Sequence, residues 1–157
     1  MTKEEALKSG IKIAGMGQEN PFVISMVSDK NAQRNIFAID AMQDLLNSEL
    51  YLTDYTNGAI ENITITSLRP YDGKGVNWLE RKLFKRKQKK LIIDIVFDKY
   101  HQFCEADRKE ALQLIAEQTI LATEKYLPKI KEINYEAFHN DLISMLRKEN
   151  IISDIKE

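Results

Sequence analysis

Residues Lys90 to Asp98 read KLIIDIVFD, and the interpretation of this stretch decides the fold. A dense run of positive charge ends here and strand-forming side chains take over. On the two-residue period of a strand, Leu91, Ile93, Ile95 and Phe97 share one face, while Ile92, Asp94, Val96 and Asp98 share the other. One face is wholly apolar and the other mixed, the pattern of a central strand with one side in the core. Each buried side chain of this size contributes about 1.5 to 3 kcal/mol before the entropy of ordering is subtracted, so this one strand supplies a substantial part of a small core.

Immediately before it, Val76 to Lys90 carries Trp78, Leu79, Leu83 and Phe84, which suit a short helix or a strand feeding a hairpin; extended structure is the preferred reading. Seven of the ten residues from Arg81 to Lys90 are Lys or Arg, beside the aromatics Trp78 and Phe84. Such a run can neutralise phosphates while aromatics stack on bases. It can equally keep an edge strand soluble. The chain as a whole carries 23 basic and 24 acidic residues, a formal charge of −1, and no nucleic-acid-binding motif accompanies the run, so the solvated edge is preferred.

Further upstream, Phe22 to Val27 reads as a strand, and Ser28 and Asp29 offer caps to a helix. Ala32, Ile36, Ile39, Met42, Leu46 and Leu50 recur behind them at helical spacing, with Phe37, Ala41 and Leu45 widening the stripe. The opposite face, with Arg34, Asp40, Gln43, Asp44 and Glu49, is too acidic for anionic lipid. Asn57-Gly58 supplies turn chemistry before Ile63 and Ile65, which alternate with Thr64 and Thr66 as a half-buried strand. Pro70 ends that ladder and Tyr71 to Gly75 reads as a plain loop, without the spacing or Lys-Ser/Thr ending of a P-loop. Gly15-Met16-Gly17 resembles the start of a dinucleotide turn, but Asn20-Pro21 and another strand-like run follow where a helix is required.

Downstream, Asp107 with Glu110 opens a long helix in which Leu112, Ile115, Ala116, Thr119, Ile120 and Leu127 face the sheet, and Pro128 ends it. Asn134 caps a last helix whose stripe is Phe138, Leu142, Met145 and Leu146, with Ile133 as a hydrophobic staple on Phe138. The expected fold is therefore α+β: a single domain over 1–157, with a small, mainly antiparallel sheet packed against two long helices and a shorter C-terminal helix. Residues 1–10 and 151–157 are the ends expected to fray unless they dock. The length, 43% hydrophobic and 30% charged content fit one globular domain.

Cys104 is the single cysteine and cannot form an internal disulfide, in keeping with a reducing compartment. The charged start MTKEEALKSG lacks the apolar run of a signal peptide, and no stretch of about 18 apolar residues exists for a membrane span, so the cytoplasm is the expected location. No reactive constellation stands out. His101, Cys104, Glu105 and Asp107 lack the second ligand pair of a zinc site and read better as a surface loop. His139, Cys104 and Ser144 make a triad only if the fold assembles them. Asp94 and Asp98 resemble a carboxylate pair, but solvation or pairing with the basic run explains them equally well. No catalytic, metal-binding or cofactor-binding residue is assigned.

The order of Leu91-Ile92-Ile93-Asp94-Ile95, then Tyr100-His101-Gln102-Phe103, then Ala106-Asp107-Arg108 through Leu121, and finally Tyr135-Glu136-Ala137-Phe138 resembles bacterial immunity proteins of polymorphic-toxin and contact-dependent-inhibition systems. The pattern is most similar to the immunity family catalogued as number forty-four, over about residues 78 to 146. The resemblance implies a cytoplasmic protein that binds one cognate toxin domain and blocks its active site or substrate access, without catalysis. Exposed aromatic and charged anchors would make that contact. The basic run and its neighbouring aromatics put Trp78, Arg81, Arg86 and Tyr100 forward as partner-binding residues. The rivals are a nucleic-acid-binding or regulatory module using Arg81 to Lys90, and a small enzyme with a pocket the sequence does not show.

Overall fold

Four strands form one sheet in the computed structural model, which describes residues 21–27, 30–70, 84–87 and 89–152. They are β1 (Phe22–Val27), β2 (Asn62–Leu68), β3 (Phe84–Lys87) and β4 (Lys90–Val96), in the order β1-β2-β4-β3. The expectation of a mainly antiparallel sheet is overturned: β1 pairs parallel with β2 and β2 parallel with β4, and β3 alone runs antiparallel, against β4. For β1 and β2 the cause is the connection. A 3-10 helix (Lys30–Asn35), α1 (Phe37–Glu49) and α2 (Thr53–Thr56) separate β1 from β2, and a chain that crosses over through helices re-enters the sheet in the same direction. Among the described strands, β3 and β4 alone pair antiparallel, with Lys87 opposite Lys90.

The register sets the two faces. Phe22, Ile63 and Leu91 lie side by side, as do Ile24, Ile65 and Ile93, and all six are buried against the helices. Phe97, one step past β4, continues the same face and packs its ring 5.4 Å from that of Phe103. Thus the apolar face read from Lys90 to Asp98 is the core face. Ser25, Thr66 and Asp94 line up on the other side, with Ser25 Oγ and Thr66 Oγ1 3.1 Å apart.

β1 is an outer strand whose free edge would expose unpaired amides. Two side chains of α1 cover it. Asn47 accepts from the Phe22 N–H at 2.9 Å and donates to its carbonyl at 2.8 Å, and Gln43 accepts from the Ile24 N–H at 2.9 Å. Gln43, read from periodicity as solvent-facing, therefore closes the sheet edge, while Ala38, Ile39, Met42 and Leu46 fill the core beneath.

The single helix expected behind Ser28 and Asp29 is split into the 3-10 segment and α1; the two proposed caps lie outside the described residues. Asn35 stands at the junction. Its side chain is buried, at 2% exposure, and its amide donates to the carbonyls of Phe103 at 2.7 Å and Ala106 at 3.0 Å, which fastens the last residue of the 3-10 segment to the far side of the core. Those carbonyls form the corner between α3 (Tyr100–Glu105) and α4 (Arg108–Tyr126). Asp107 caps α4 by accepting from the Glu110 N–H at 2.8 Å, and a second 3-10 turn containing Pro128 ends it, as read from sequence. In α5 (Tyr135–Lys148), Asn134 accepts from the Ala137 N–H at 3.1 Å, and Phe138, Leu142, Met145 and Leu146 are buried. Phe138 stacks on Phe22 at 6.0 Å between centroids and meets Tyr55 edge-on at 5.5 Å. Asn57 takes the left-handed conformation (φ 52°) and Gly58 follows at φ 83°, which closes α2 and turns the chain into β2. Ile151 docks into the core instead of fraying. Among the described residues, no helix is long and apolar enough to cross a membrane.

Candidate partner-binding site

The long helix α4 carries two stripes. Ile115, Ala116, Thr119, Ala122 and Thr123 are buried against the rest of the protein. A second set, Leu114, Gln118, Leu121 and Lys125, recurs at three- and four-residue spacing on a neighbouring face. Its first part is anchored: Leu114 is 4% exposed, and Gln118, 5% exposed, donates from Nε2 to the Val96 carbonyl at 3.3 Å. Leu121 is not. At 54% exposure it is the most exposed large apolar side chain among the described residues.

Between this stripe and the end of β4 lies a groove of about 460 Å³. β3 pairs with Lys90 to Ile93 and no further among the described residues, so Asp94 to Val96 and the turn at Phe97 to Lys99 line it opposite Leu114, Leu121 and Tyr126. Four carboxylates, Asp94, Asp98, Glu117 and Glu124, surround the apolar lining, against the ammonium groups of Lys99 and Lys125. By formal count the rim holds a surplus of two negative charges. Lys99 is engaged with Glu117 at 3.5 Å, and Lys125 Nζ sits 5.5 Å from the Tyr126 ring centroid. The field of Glu124 also reaches Tyr135, whose hydroxyl is held protonated above its ordinary range by burial first and by Glu124 second. An apolar slot with a negative rim is suited to holding an apolar side chain with cations beside it.

The four anchors read from sequence do not form one described surface. Trp78 and Arg81 lie outside the described residues. Arg86, on β3, forms an ion pair with Glu132 at 2.9 Å, with both side chains a little over one-third exposed. That hydrogen bond, followed by one from its own backbone, holds the Glu132 carboxyl below the usual range. Tyr100 requires correction. It is 1% exposed, because α3 begins at Tyr100 and turns it inward together with Phe103 behind Phe97, so it belongs to the core and offers no contact surface. Lys89, also in the basic run, lies 3.5 Å from Glu61.

The segment around His101 is a helix and not a loop, and Cys104 within it is buried. His139 Nδ1 is 3.1 Å from Tyr135 Oη, one turn away on the same helix. Among the described residues, no group of three or more His, Cys, Asp or Glu is placed to hold a metal ion. Sequence periodicity assigned α4 a single apolar face and passed over Leu114 and Leu121. The signal was the seven-residue repeat of Leu114 with Leu121, Glu117 with Glu124 and Gln118 with Lys125, a second face beside the first.

Searches among curated proteins and among solved structures gave no match. A protein-family model does match, and it covers residues 20–148, including all four strands and the helices that build the groove. The similarity read from the C-terminal half thus extends back to the start of β1, and the chain belongs to the family described as Immunity protein 44.

Proposed function

We propose that the protein is a cytoplasmic immunity protein that binds a cognate toxin domain and neutralises it by occupying its active site or the path to it, without catalysis. The observation that carries this reading is membership of the Immunity protein 44 family over residues 20–148. The groove beside α4 agrees with a binding role, since it joins an exposed apolar side chain to a charged rim. Trp78, Arg81 and Arg86 are proposed as further contacts from the basic run. The nucleic-acid alternative loses ground on the same run, because Arg86 and Lys89 have carboxylate partners in Glu132 and Glu61.

The test is co-expression with the toxin domain encoded by the neighbouring gene. Growth should be restored only when the immunity protein matches the toxin in amount, and the two should co-purify as a stoichiometric complex. Protection by a small fraction of the toxin's amount would point to an enzyme, and absence of protection would refute the reading. The triple variant Trp78→Ala/Arg81→Ala/Arg86→Ala tests the basic run. Protection equal to wild type would remove those three residues from the contact.

A further inference from the structure

We infer that the groove between α4 and the end of β4 is where the toxin docks, and that it takes a basic segment of the toxin carrying one large apolar or aromatic anchor. This inference rests on the immunity reading above. Leu121 is the first observation: an aliphatic side chain 54% exposed in the middle of a helix loses nothing structurally by being polar, yet it stands at the wall of a groove of about 460 Å³. That volume lies in the range of pockets that enclose a sizeable group, about 300 to 1,000 Å³. The second observation is the rim. Asp98, Glu117 and Glu124 outnumber Lys99 and Lys125 around an apolar lining, so an apolar partner flanked by Lys or Arg is favoured and an acidic one is repelled. Arginine suits such a rim best, because its planar guanidinium pairs with carboxylates in a forked geometry.

The third observation is rigidity. The wall of the groove is held before any partner arrives. Gln118 ties α4 to the Val96 carbonyl, and the lining residue Leu114 is buried. A preformed site loses less entropy on binding than one that must order.

The experiment measures binding of the neighbouring-gene toxin domain to the full chain by surface plasmon resonance at about 50 mM and about 500 mM salt. Three variants are compared: Leu121→Asp, the double reversal Glu117→Lys/Glu124→Lys, and the control Asp44→Lys/Glu149→Lys, which changes net charge equally on exposed positions away from the groove. Thermal melting verifies that each folds. Leu121→Asp should weaken binding by about tenfold or more at both salts, as loss of an anchor does. The groove reversal should slow association by about tenfold or more at low salt, with the difference shrinking at high salt, while the control stays within about twofold. If wild type binds and both groove variants bind within about twofold of it, the groove assignment fails and the immunity reading stands. If wild type neither binds nor protects, the immunity reading fails and the assignment falls with it. Wild-type self-association abolished by Leu121→Asp, with toxin binding unchanged, would make the groove a homodimer surface and overturn the proposal.

Discussion

Asn35→Ala tests how the groove helix is held in place. One buried amide group donates to two carbonyls, those of Phe103 and Ala106, at the corner from which α4 starts. Each bond contributes about 0.5 to 1.5 kcal/mol net, and a carbonyl left buried without a donor costs more, about 1 to 3 kcal/mol. The two carbonyls are not equally exposed to that loss. Ala106 keeps the guanidinium of Arg34 at 3.2 Å, whereas Phe103 keeps only a long bond from the Ala106 N–H at 3.3 Å. The expected destabilisation is therefore about 2 to 3 kcal/mol, which for a chain of this size lowers the melting temperature by roughly 4 to 12 °C. Arg34→Ala, at an exposed position with one bond, should cost less than about 1 kcal/mol. Urea unfolding followed by circular dichroism gives both values. An Asn35→Ala loss below about 0.5 kcal/mol, or one no larger than that of Arg34→Ala, would refute the claim that Asn35 fastens the 3-10 segment to this corner.

Other changes probe separate parts of the molecule. Phe138→Ala removes a buried ring in contact with Phe22 and Tyr55 and should cost about 3 to 5 kcal/mol; a loss under about 1.5 kcal/mol in urea would show that the aromatic cluster is not central. Asp107→Ala deletes the α4 cap and should cost about 0.5 to 2 kcal/mol in the same assay, whereas Asp107→Asn or Asp107→Ser should retain most of the stability. The Tyr55 hydroxyl donates to Asp141 at 2.7 Å, and its pKa is raised well above the usual value by burial first, then by the hydrogen bond and charge of Asp141. A raised value in the fold means that the neutral form is favoured there. Its stabilisation is complete below about pH 10, the unfolded value, and is lost as pH rises beyond it. Tyr55→Phe should flatten the alkaline side of the stability profile, and an unchanged slope would assign that loss to another group.

The sequence signals that succeeded were local ones. The two-residue alternation from Leu91 to Phe97 identified the core face of β4, and the capping chemistry of Asp107 and Asn134 located two helix starts, because each depends on residues within a few positions of one another. Strand direction depends on what lies between strands. The helical stretch between Phe22–Val27 and Asn62–Leu68 is legible, and a strand-helix-strand order points to parallel pairing, whereas the hairpin signal before Leu91 concerns one strand pair alone. The burial of Tyr100 is hidden for a different reason. An aromatic next to a charged segment looks exposed unless the three-residue spacing of Phe97, Tyr100 and Phe103 is recognised as a turn that folds all three inward. The groove was harder still, because its two walls, β4 and α4, come together only in the tertiary structure. Asp94 reads as one of a carboxylate pair and Leu121 carries no assigned role, and neither alone signals a site.

The parallel pairing of β1, β2 and β4 also sets an order for synthesis. Each of those ladders joins residues on opposite sides of a long intervening stretch, Phe22 to Ile63 and Ile63 to Leu91, so neither forms by local zippering. β2 is the middle member, and until β4 has left the ribosome one of its flanks stays open and able to accept a strand from another nascent chain. During that interval Gln43 and Asn47 shield only the β1 side. Truncations ending before Lys90 should therefore accumulate as aggregates, and those ending between Val96 and Arg108 should remain aggregation-prone, because Phe22, Ile63 and Leu91 still lack the cover of α4 and α5; the arrival of those two helices, after β4 has closed the flank of β2, is the step on which the yield of usable protein turns.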